Sequence, residues 1–567
     1  MKKDDLSLYE ELSEERKRLQ NEGELPKFFT TAGYQLLRKK YLQDGETAKD
    51  RYMSVAETAA QYTDDKKKWT KKFFDVMWKG WLSPATPVLS NMGTDKGCPV
   101  SCSGTYVGDS VHSFYDTLTE NAVLSKHGFG TSAYLGDIRP RGELFGVDGK
   151  ASGVLPVLKD YIKMAQNISQ GSSRRGSIGL YLDAEHKDFW EAVDYLFHNP
   201  DDCNIGWVFK KALINRLNQG DKEALRIWQR INKVRSILGR GYIMKHWTAQ
   251  EQRPQMYKDL GLDIKGSNLC SEIMLYCDEE LSFTCVLSSM NLRHWDEWKN
   301  TDAVQVSTIF LDCVAEHFIR LGKGIKGLEK AVKFTEKGRA LGLGVLGYHT
   351  YLQENMMPFE SFPAMMWNAQ VFKHIHDQSL EASKWMASQW GEPEWCEGYG
   401  VRNTHRTAIA PTMSTSLLVG GISQGIEPIA MNVYSQVTAA GTVRRINPTL
   451  LKLMEKRGRY TKEVLQDIED NSGSVQHVNW LSDEEKEVFK TAFEINQKSI
   501  LTAASQRQPK ICQSQSLNLF FSSDEEEEWI SEVIQTFIED PNLITLYYQR
   551  SESGVKASKG ECVSCHA

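Results

Sequence analysis

The sequence predicts an α/β fold preceded by a helical region. Residues 4–22 are dense in Glu, Lys, Arg and Leu, and residues 48–78 carry apolar side chains at helical spacing. After about residue 80 the pattern changes to short apolar runs of strand type, separated by helical segments and Gly-rich turns. A chain of 567 residues is long enough for two to four domains, or for one large α/β domain with additions. We therefore divide it into a helical region over residues 1–80, a main α/β domain over 81–549 and a polar tail over 550–567.

Composition and charge exclude several classes of protein. Hydrophobic residues make up 41% of the chain and charged residues 25%, as in ordinary soluble globular proteins. The formal net charge of −6 gives no sign of nucleic-acid binding. No run approaches the ~18 apolar residues of a membrane span, and the first residues lack the apolar core of a signal peptide. We expect a cytoplasmic protein that binds neither nucleic acid nor membranes.

The chain contains 11 cysteines, which a reducing compartment does not use as a structural disulfide framework. Five of them lie in contexts that suggest chemistry: Cys102, Cys270, Cys285, Cys562 and Cys565. We interpret the others as small buried apolar residues: Cys98, Cys203, Cys277, Cys313, Cys396 and Cys512.

Residues 267–272, called the central loop below, carry an amide, a thiol and a carboxylate at alternate positions. These are Asn268, Cys270 and Glu272. In an extended backbone all three side chains would point to one side. A hydrogen-bonding amide, a sulfur capable of one-electron chemistry and a proton acceptor would together form a small reaction centre. Taken alone, the motif would favour a strand end with a buried cysteine over a reaction centre.

Three segments have the composition of anion-binding sites. Residues 137–142 and 169–177 are loops rich in Gly, Ser and Arg, in which backbone N–H groups and guanidinium groups suit phosphate oxygens. Residues 407–416 read as an apolar strand that ends in a hydroxyl cluster at a helix start, a place suited to a diphosphate. The alternatives are flexible surface loops and a capped helix without a ligand. None of the three is a Walker loop.

Residues 342–347 contain the pattern G-x-G-x-x-G, which also occurs in dinucleotide-binding folds. That fingerprint requires a preceding strand, whereas the segment before these glycines has a helical pattern. We therefore predict a Gly-rich strand that packs closely against a neighbour.

Considered together and in order, the motifs resemble one enzyme family. They are V-S-C at 100–102, N-L-C-x-E at 268–272, T-C-V-L-S-x-x-N-L at 284–292, L-G-x-G-V at 341–345, A-P-T-x-S-T at 410–415, G-I-E-P at 425–428, a tyrosine pair and a two-cysteine tail. From about residue 80 onward the chain resembles the catalytic (large) subunit of a class I ribonucleotide reductase. The resemblance implies a ten-stranded α/β barrel with the central loop inserted through it as a finger. It also implies reduction of ribonucleoside diphosphates to 2′-deoxyribonucleoside diphosphates for DNA synthesis.

The resemblance assigns roles to the central residues. Cys270 would form a thiyl radical that removes hydrogen from C3′ of the ribose, which eases the departure of the 2′-hydroxyl group. Glu272 would accept the proton of the 3′-hydroxyl group, and Asn268 would orient the same region by hydrogen bonding. Cys102 and Cys285 would supply two electrons and end as a disulfide, with Cys102 on the face that loses the hydroxyl group.

The same resemblance implies two nucleotide sites. The expected substrate contacts are Thr86, Ser101, Gly128, Thr412, Met413, Ser414, Thr415 and Ser416. Met413 departs from relatives that have an acidic or small residue at that position. A specificity effector, a deoxynucleoside triphosphate or ATP, would contact Asp109, Arg139, Gln170 and Arg174.

The remaining expectations concern electrons and partners. Tyr547 and Tyr548 would relay a radical from a small subunit, whose metallocofactor generates it; this chain would hold no metal or cofactor itself. Adjacent residues of a regular strand point to opposite faces, so a stacked tyrosine pair requires a local departure from strand geometry. Cys562 and Cys565, on the polar tail, would reduce the Cys102–Cys285 disulfide and be reduced by thioredoxin or glutaredoxin. We also expect a homodimer.

The N-terminal helices show no sign of the ATP-cone module, so we expect specificity control without activity control by dATP. A compact chain of this kind would suit a bacteriophage enzyme. Alternatives remain for the tail: C-x-x-C-H at 562–566 also fits haem attachment, and Cys562, Cys565 and His566 could bind zinc. For the whole chain, the alternatives are a cobalamin-dependent reductase and a nucleotide-binding sensor without enzymatic activity.

Overall fold

The computed structural model describes residues 3–146, 149–170, 174–202, 204–438 and 441–552. Cys203 and the tail cysteines Cys562 and Cys565 lie outside these ranges.

Four helices form the N-terminal region: Lys3–Asn21, Thr31–Lys40, Ala48–Ala60 and Lys66–Trp78. Side chains cap the starts of the last three helices. The Thr47 hydroxyl, for example, accepts a hydrogen bond from the N–H of Asp50, whose carboxylate accepts one from Thr47. The last helix packs against the main domain, where the rings of Phe73 and Phe310 lie 5.4 Å apart. The helical region is thus attached to the main domain by a shared apolar core.

The main domain is built around a curled sheet of nine strands. Five parallel neighbours form its first half: Cys102–Tyr106, Gly130–Tyr134, Ile178–Asp183, Asn204–Phe209 and Tyr242–Lys245. Their residues are buried on both faces with few exceptions, which is typical of parallel strands covered by helices.

The second half of the sheet runs antiparallel to the first and closes the curl. Phe283–Asn291 pairs with Leu341–Leu346 in parallel, and single parallel bridges continue through Leu343–Thr407 and Ile409–Gln515. The halves meet at two antiparallel joints, between Phe283–Asn291 and Cys102–Tyr106 and between Tyr242–Lys245 and Thr545–Leu546. The short strand Leu82–Pro84 also pairs antiparallel with Phe283–Asn291. This arrangement agrees with the predicted barrel.

Helices and short ribbons surround the curled sheet. The helices of the main domain are Thr86–Asn91, Val111–Lys126, Val154–Asn167, Phe189–His198, Lys211–Asn218, Lys222–Leu238, His246–Gln252, Gln255–Asp259, Trp295–Trp298, Ala303–Gly322, Glu329–Gly338, Tyr348–Glu354, Phe362–Trp390, Met413–Leu418, Pro448–Lys456, Lys462–Asp470, Asp483–Val488, Gln497–Arg507 and Glu527–Glu539, with 3₁₀ turns at Leu292–His294, Glu394–Cys396 and Gln508–Lys510. The two-stranded ribbons pair Leu144–Phe145 with Gly149–Lys150, Ser169–Gln170 with Arg174–Arg175, Val433–Thr438 with Gly441–Ile446, and Leu519–Phe520 with Gln549–Arg550.

The Gly-rich segment forms a buried strand, Leu341–Leu346, as predicted. A Cβ atom added at Gly342 would lie 2.3 Å from a Leu287 methyl carbon, and one added at Gly344 would lie 2.6 Å from the carbonyl oxygen of Ala408. The glycines therefore permit close packing of neighbouring strands. Within the described part of the chain, no helix is both long and apolar enough to cross a membrane.

Candidate active site

The central loop lies inside the curled sheet, but its backbone is not the extended segment that the sequence predicted. The N–H of Ser271 donates to the carbonyl oxygen of Asn268 at 3.2 Å, which closes a tight turn. Ser271 has a φ of 65°, in the left-handed region. The prediction of alternating side chains on an extended backbone is therefore wrong. The turn nevertheless leaves Asn268 and Glu272 next to each other, since Asn268 hydrogen bonds with the Glu272 carboxylate.

Neighbouring strands fix this strained turn through its backbone carbonyl groups. The Tyr181 hydroxyl donates to the carbonyl of Asn268 at 2.7 Å, and the Thr545 hydroxyl donates to the carbonyl of Ser271 at 2.9 Å. The Ser516 hydroxyl donates to the carbonyl of Cys270 at 2.7 Å. A buried carbonyl without a donor would cost free energy, so these hydroxyl groups stabilise the turn.

Cys102 and Cys285 face each other at the joint between the two halves of the sheet. They are direct antiparallel partners, and such partners have Cα atoms about 4.5–5.5 Å apart, within the range that a disulfide spans. Both are buried and in the thiol form. The Asn268 amide donates to the Cys102 sulfur at 3.2 Å, and the Gln513 amide donates to the Cys285 sulfur at 3.4 Å. The two thiols can therefore form a disulfide without rearrangement of the strands.

The electrostatics of the site favour neutral groups at neutral pH. Burial raises the pKa of Glu272 to about 7, although hydrogen bonds from Asn268, Ser516 and Cys102 act to lower it. The Cys102 sulfur lies 3.9 Å from a Glu272 oxygen. Burial, followed by the nearby Glu272 carboxylate, raises the pKa of Cys102 well above its usual value. Burial also raises the pKa of Cys285. Glu272 can thus exchange a proton near pH 7 while both cysteines remain thiols.

Tyr547 and Tyr548 form a tilted pair with ring centroids 4.2 Å apart. They occupy the irregular segment between the strands Thr545–Leu546 and Gln549–Arg550, which allows adjacent side chains to come together. Tyr242 joins them, with its ring 4.8 Å from that of Tyr547 and 5.4 Å from that of Tyr548. All three belong to the same buried apolar cluster as Cys270. The tyrosine cluster therefore lies on one side of Cys270.

The expected substrate residues Thr86, Ser101 and Gly128 lie on separate elements. Thr86 opens the helix Thr86–Asn91 and its hydroxyl is 3.0 Å from that of Tyr41. Ser101 directly precedes Cys102, and its hydroxyl is buried without a hydrogen-bond partner among the described residues. Gly128 has a φ of 100° that other residues rarely adopt.

The hydroxyl cluster that begins at Thr412 leads into the short helix Met413–Leu418, as predicted. The Thr412 hydroxyl accepts a hydrogen bond from the N–H of Gly425 at 2.7 Å, so it ties the helix start to the G-I-E-P turn. Ser414, Thr415 and Ser416 are buried in this helix. Met413 packs against the apolar cluster that contains Cys270. A phosphate-binding segment here would therefore lie close to the central loop.

Two family models match most of the chain. The model described as the ribonucleotide reductase barrel domain matches residues 100–202, 198–398 and 389–548, and the model of the all-alpha domain matches residues 27–97. The chain belongs to the ribonucleotide reductase large-subunit family. A ribonucleoside-diphosphate reductase large subunit of Invertebrate iridescent virus 3 is 32% identical, over 94% of this chain and 95% of that protein. The corresponding subunit of Danio rerio is 26% identical over 79% of this chain and 66% of its own length.

A solved structure agrees with this family assignment. The class Id ribonucleotide reductase alpha subunit of Actinobacillus ureae matches 93% of this chain and 97% of its own chain, with a TM-score of 0.86 and 38% identity. Because that relative is a class I subunit, the comparison supports the class I prediction and not the cobalamin-dependent alternative.

The residues predicted for the reductase effector site are partly brought together. Asp109 and Arg139 form an ion pair, and the N–H of Arg139 also donates to the Asp109 carboxylate at 3.1 Å. Gln170 and Arg174 are antiparallel backbone partners at the end of a small ribbon. The helix that follows Asp109 is capped by Ser110, whose hydroxyl accepts a hydrogen bond from the N–H of Ser113.

Sequence reasoning missed Tyr242, Gln513 and Ser516. Tyr242 lies in a strand as one apolar residue among several, so no local pattern distinguishes it from core. Gln513 and Ser516 belong to a polar run, Q-S-Q-S, that is almost fully buried. Buried polar residues are usually hydrogen-bonded to something specific, so a polar run bounded by apolar residues was the available signal. The tail cysteines, and with them the haem and zinc alternatives, lie outside the described residues.

Proposed function

We propose that this chain is the catalytic subunit that reduces ribonucleoside diphosphates to 2′-deoxyribonucleoside diphosphates. The observation that carries the proposal is the position of Cys270. It is packed in one buried cluster with Tyr242, Tyr547 and Tyr548, and the same loop holds Glu272 against Cys102, whose strand partner is Cys285. Cys270 thus lies close both to tyrosines that can carry a radical and to a cysteine pair that can supply two electrons.

Cys270 begins the reaction as a thiyl radical. A class I small subunit supplies the oxidising equivalent from its metallocofactor, and Tyr547 and Tyr548 conduct it inward. Burial raises the pKa of the adjacent Tyr242, which favours retention of phenolic protons in this cluster. Closely packed tyrosine rings suit stepwise transfer of the radical, because each step covers only a short distance.

The ribose chemistry then uses the residues around the central loop. The Cys270 radical removes the hydrogen atom from C3′, and Glu272 accepts the proton of the 3′-hydroxyl group. The 2′-hydroxyl leaves as water with a proton from Cys102. Cys102 and Cys285 together supply two electrons and two protons and become a disulfide. One proton leaves in the water, and one hydrogen atom forms the new C2′–H bond. The second electron reduces the C3′ ketone as Glu272 returns the proton of the 3′-hydroxyl group. Cys270 returns a hydrogen atom to C3′, which restores its radical and completes the exchange of C–OH for C–H.

Partners and effectors follow from the same proposal. The Asp109–Arg139 pair and the ribbon of Gln170 and Arg174 form the candidate site for a nucleoside triphosphate effector, and the chain acts as a homodimer. Cys562 and Cys565 carry electrons from thioredoxin or glutaredoxin to the Cys102–Cys285 disulfide by thiol exchange.

The decisive experiment is an assay of the purified chain with a class I small subunit, a dithiol reductant and a ribonucleoside diphosphate. We expect formation of the deoxynucleotide that depends on the small subunit and is not replaced by adenosylcobalamin. Turnover with adenosylcobalamin alone would contradict the proposal. Binding of nucleotides without turnover under any of these conditions would favour the sensor alternative.

The tail is tested separately by the double variant Cys562→Ser, Cys565→Ser. It should complete about one reductive cycle with thioredoxin and then stop, because the Cys102–Cys285 disulfide is no longer reduced. A small dithiol should restore part of the turnover. Unchanged multiple turnover with thioredoxin would show that the tail has another role.

A further inference from the structure

The two thiols of the candidate reducing pair have different surroundings. The sulfur of Cys102 is 3.9 Å from a carboxylate oxygen of Glu272 and also accepts from the Asn268 amide. The sulfur of Cys285 has a neutral donor as its hydrogen-bond partner, the Gln513 amide at 3.4 Å. Each sulfur thus accepts from one amide, and the direct contact of Cys102 with the Glu272 carboxylate is the difference between them. This contact makes a negative charge on sulfur less favourable at Cys102 than at Cys285, on which Glu272 acts more weakly.

Gln513 is held rigidly in the orientation that presents its N–H groups to Cys285. Its side-chain oxygen accepts from the N–H of Met274 at 2.9 Å, and its nitrogen also donates to the carbonyl of Leu341 at 3.1 Å. The side chain is fully buried. Because the amide oxygen is fixed by a backbone N–H donor, the amide cannot flip and present its oxygen to the sulfur.

We propose that Gln513 is a positioning residue that sets the direction in which the Cys102–Cys285 disulfide is reduced: the incoming thiolate attacks the Cys102 sulfur, and Cys285 leaves as the thiolate that Gln513 stabilises. The inference rests on the proposed function, since it concerns the disulfide formed in that reaction. A thiol–disulfide exchange proceeds faster when the leaving sulfur bears negative charge more easily. The Gln513 N–H group provides that stabilisation before the reaction begins.

The exchange balances with a dithiol as the reductant. Its first thiolate forms a bond to the Cys102 sulfur as the Cys102–Cys285 bond breaks, and Cys285 takes the electron pair. Its second thiolate then attacks the reductant's own sulfur in the mixed disulfide, which releases Cys102. The dithiol is thereby oxidised to a disulfide and the protein pair is reduced. Glu272 can deliver a proton to the departing Cys102. Of the two protons that the reductant releases, one goes to the Cys285 thiolate and the other returns to Glu272.

Mapping of the mixed disulfide tests the direction. The full chain carrying Cys562→Ser and Cys565→Ser would be oxidised, exposed briefly to the monothiol 2-mercaptoethanol and quenched with N-ethylmaleimide. Peptide mass spectrometry then shows which cysteine bears the monothiol and which bears the maleimide. We expect the monothiol on Cys102 and the maleimide on Cys285. The reverse pattern, or an even distribution, would overturn the proposal while leaving the proposed function intact.

Gln513→Met tests whether the Gln513 N–H group determines which sulfur is attacked, because methionine has a similar length but no N–H group. We expect dithiothreitol to reduce the disulfide about tenfold more slowly, as for the loss of one hydrogen bond to a charged group, and the monothiol to appear on both cysteines. The matched control is Gln515→Met, whose side chain hydrogen bonds with Arg507 and Gln508 instead. A purely structural role for Gln513 would leave the position of the adduct unchanged and would overturn the assignment. Failure of the unmodified chain to form any Cys102–Cys285 disulfide would instead contradict the proposed function.

Discussion

The two sides of Cys270 differ in chemistry. On one side, Asn268, Glu272 and Cys102 form a connected polar group, with hydrogen bonds to both the carboxylate and the sulfur. On the other side, Tyr547 and Tyr548 lie in an apolar cluster, where rings in close contact dominate. A proton-transfer site needs groups whose pKa can be adjusted, whereas an electron path needs short distances between oxidisable rings. The difference indicates that proton chemistry and radical transfer use different residues around the central loop.

The largest effect is expected where the two sides meet. Cys270→Ser keeps the size and the turn but replaces a weak S–H bond by an O–H bond too strong to form a hydrogen-abstracting radical. Turnover should fall to the background of the assay while substrate binding, measured by equilibrium dialysis, remains. Appreciable deoxynucleotide formation by this variant would contradict the radical mechanism.

Among the tyrosines, loss of the phenolic hydroxyl group should lower turnover by different amounts at Tyr548 and at Tyr242. Tyr548→Phe keeps the ring but removes the oxidisable hydroxyl, so turnover should again be lost. Tyr242→Phe should reduce turnover only severalfold, because Tyr242 supports the pair by ring contacts of 4.8 and 5.4 Å that phenylalanine preserves. The comparison is made by steady-state turnover with a class I small subunit. Equal losses in both variants would show that all three tyrosines carry the radical.

The contrast between the two sides also explains what the sequence could and could not predict. The motif residues Cys102, Cys270, Glu272 and Cys285 were identifiable because their chemistry restricts the residue type at each position. The turn at Ser271 was not, because its conformation depends on hydrogen bonds from strands far along the chain, such as that of Thr545. Propensity describes local preferences, and here tertiary contacts override them.

The barrel as a whole was predicted through the family resemblance, but the sequence did not locate every strand of it. Strand-like runs such as Phe283–Asn291 have a clear apolar pattern, so they were located correctly. The apolar run that begins at Thr407 was also read as a strand, whereas the segment at Gln515 joins the curl through a single bridge and leaves no periodic pattern in the sequence. Gln513 and Ser516 escaped notice for a related reason: a buried polar side chain is recognisable only from its partners.

The polar side should show opposite effects on activity and stability. Glu272→Gln removes the proton acceptor, so kcat should fall about 10²- to 10⁴-fold. The pKa of Glu272 is raised from 4.5 to about 7 in the folded protein, so the folded state binds more protons than the unfolded state between these values. Stability therefore decreases as the pH rises from 4.5 to 7.

Glu272→Gln removes this penalty. At pH 8 the variant should be more stable than the unmodified chain by up to about 3 kcal/mol, measured by urea unfolding at pH 5 and pH 8. At pH 5 most of this difference should disappear. A variant that is less stable at both pH values would show that the carboxylate contributes hydrogen bonds worth more than its burial costs.

The smallest effect is expected for Ser516→Ala, which leaves every reacting group in place. The Ser516 hydroxyl oxygen lies 3.1 Å from a Glu272 oxygen and 2.7 Å from the carbonyl oxygen of Cys270, and its single hydrogen can be donated to either acceptor. Loss of a donor to the ionised carboxylate should raise the pKa of Glu272 above 7, because the charged form loses more stabilisation than the neutral form. The rising limb of kcat against pH should therefore move upward by about one unit, and turnover at pH 7 should fall about fivefold.

At pH 9 the carboxylate of Ser516→Ala should be ionised, so activity should approach that of the unmodified chain. Ser514→Ala is the matched control: its hydroxyl is 2.7 Å from that of Thr545 and does not contact Glu272, while its backbone N–H donates to the Glu272 carbonyl in either variant. This control changes the packing of the same strand but should keep the midpoint of the pH profile. A uniform loss of activity at every pH in Ser516→Ala would mean that the hydroxyl acts by holding the turn through Cys270. If only the midpoint of the pH profile moves, the Ser516 hydroxyl acts by stabilising the Glu272 carboxylate and therefore belongs to the proton-transfer residues.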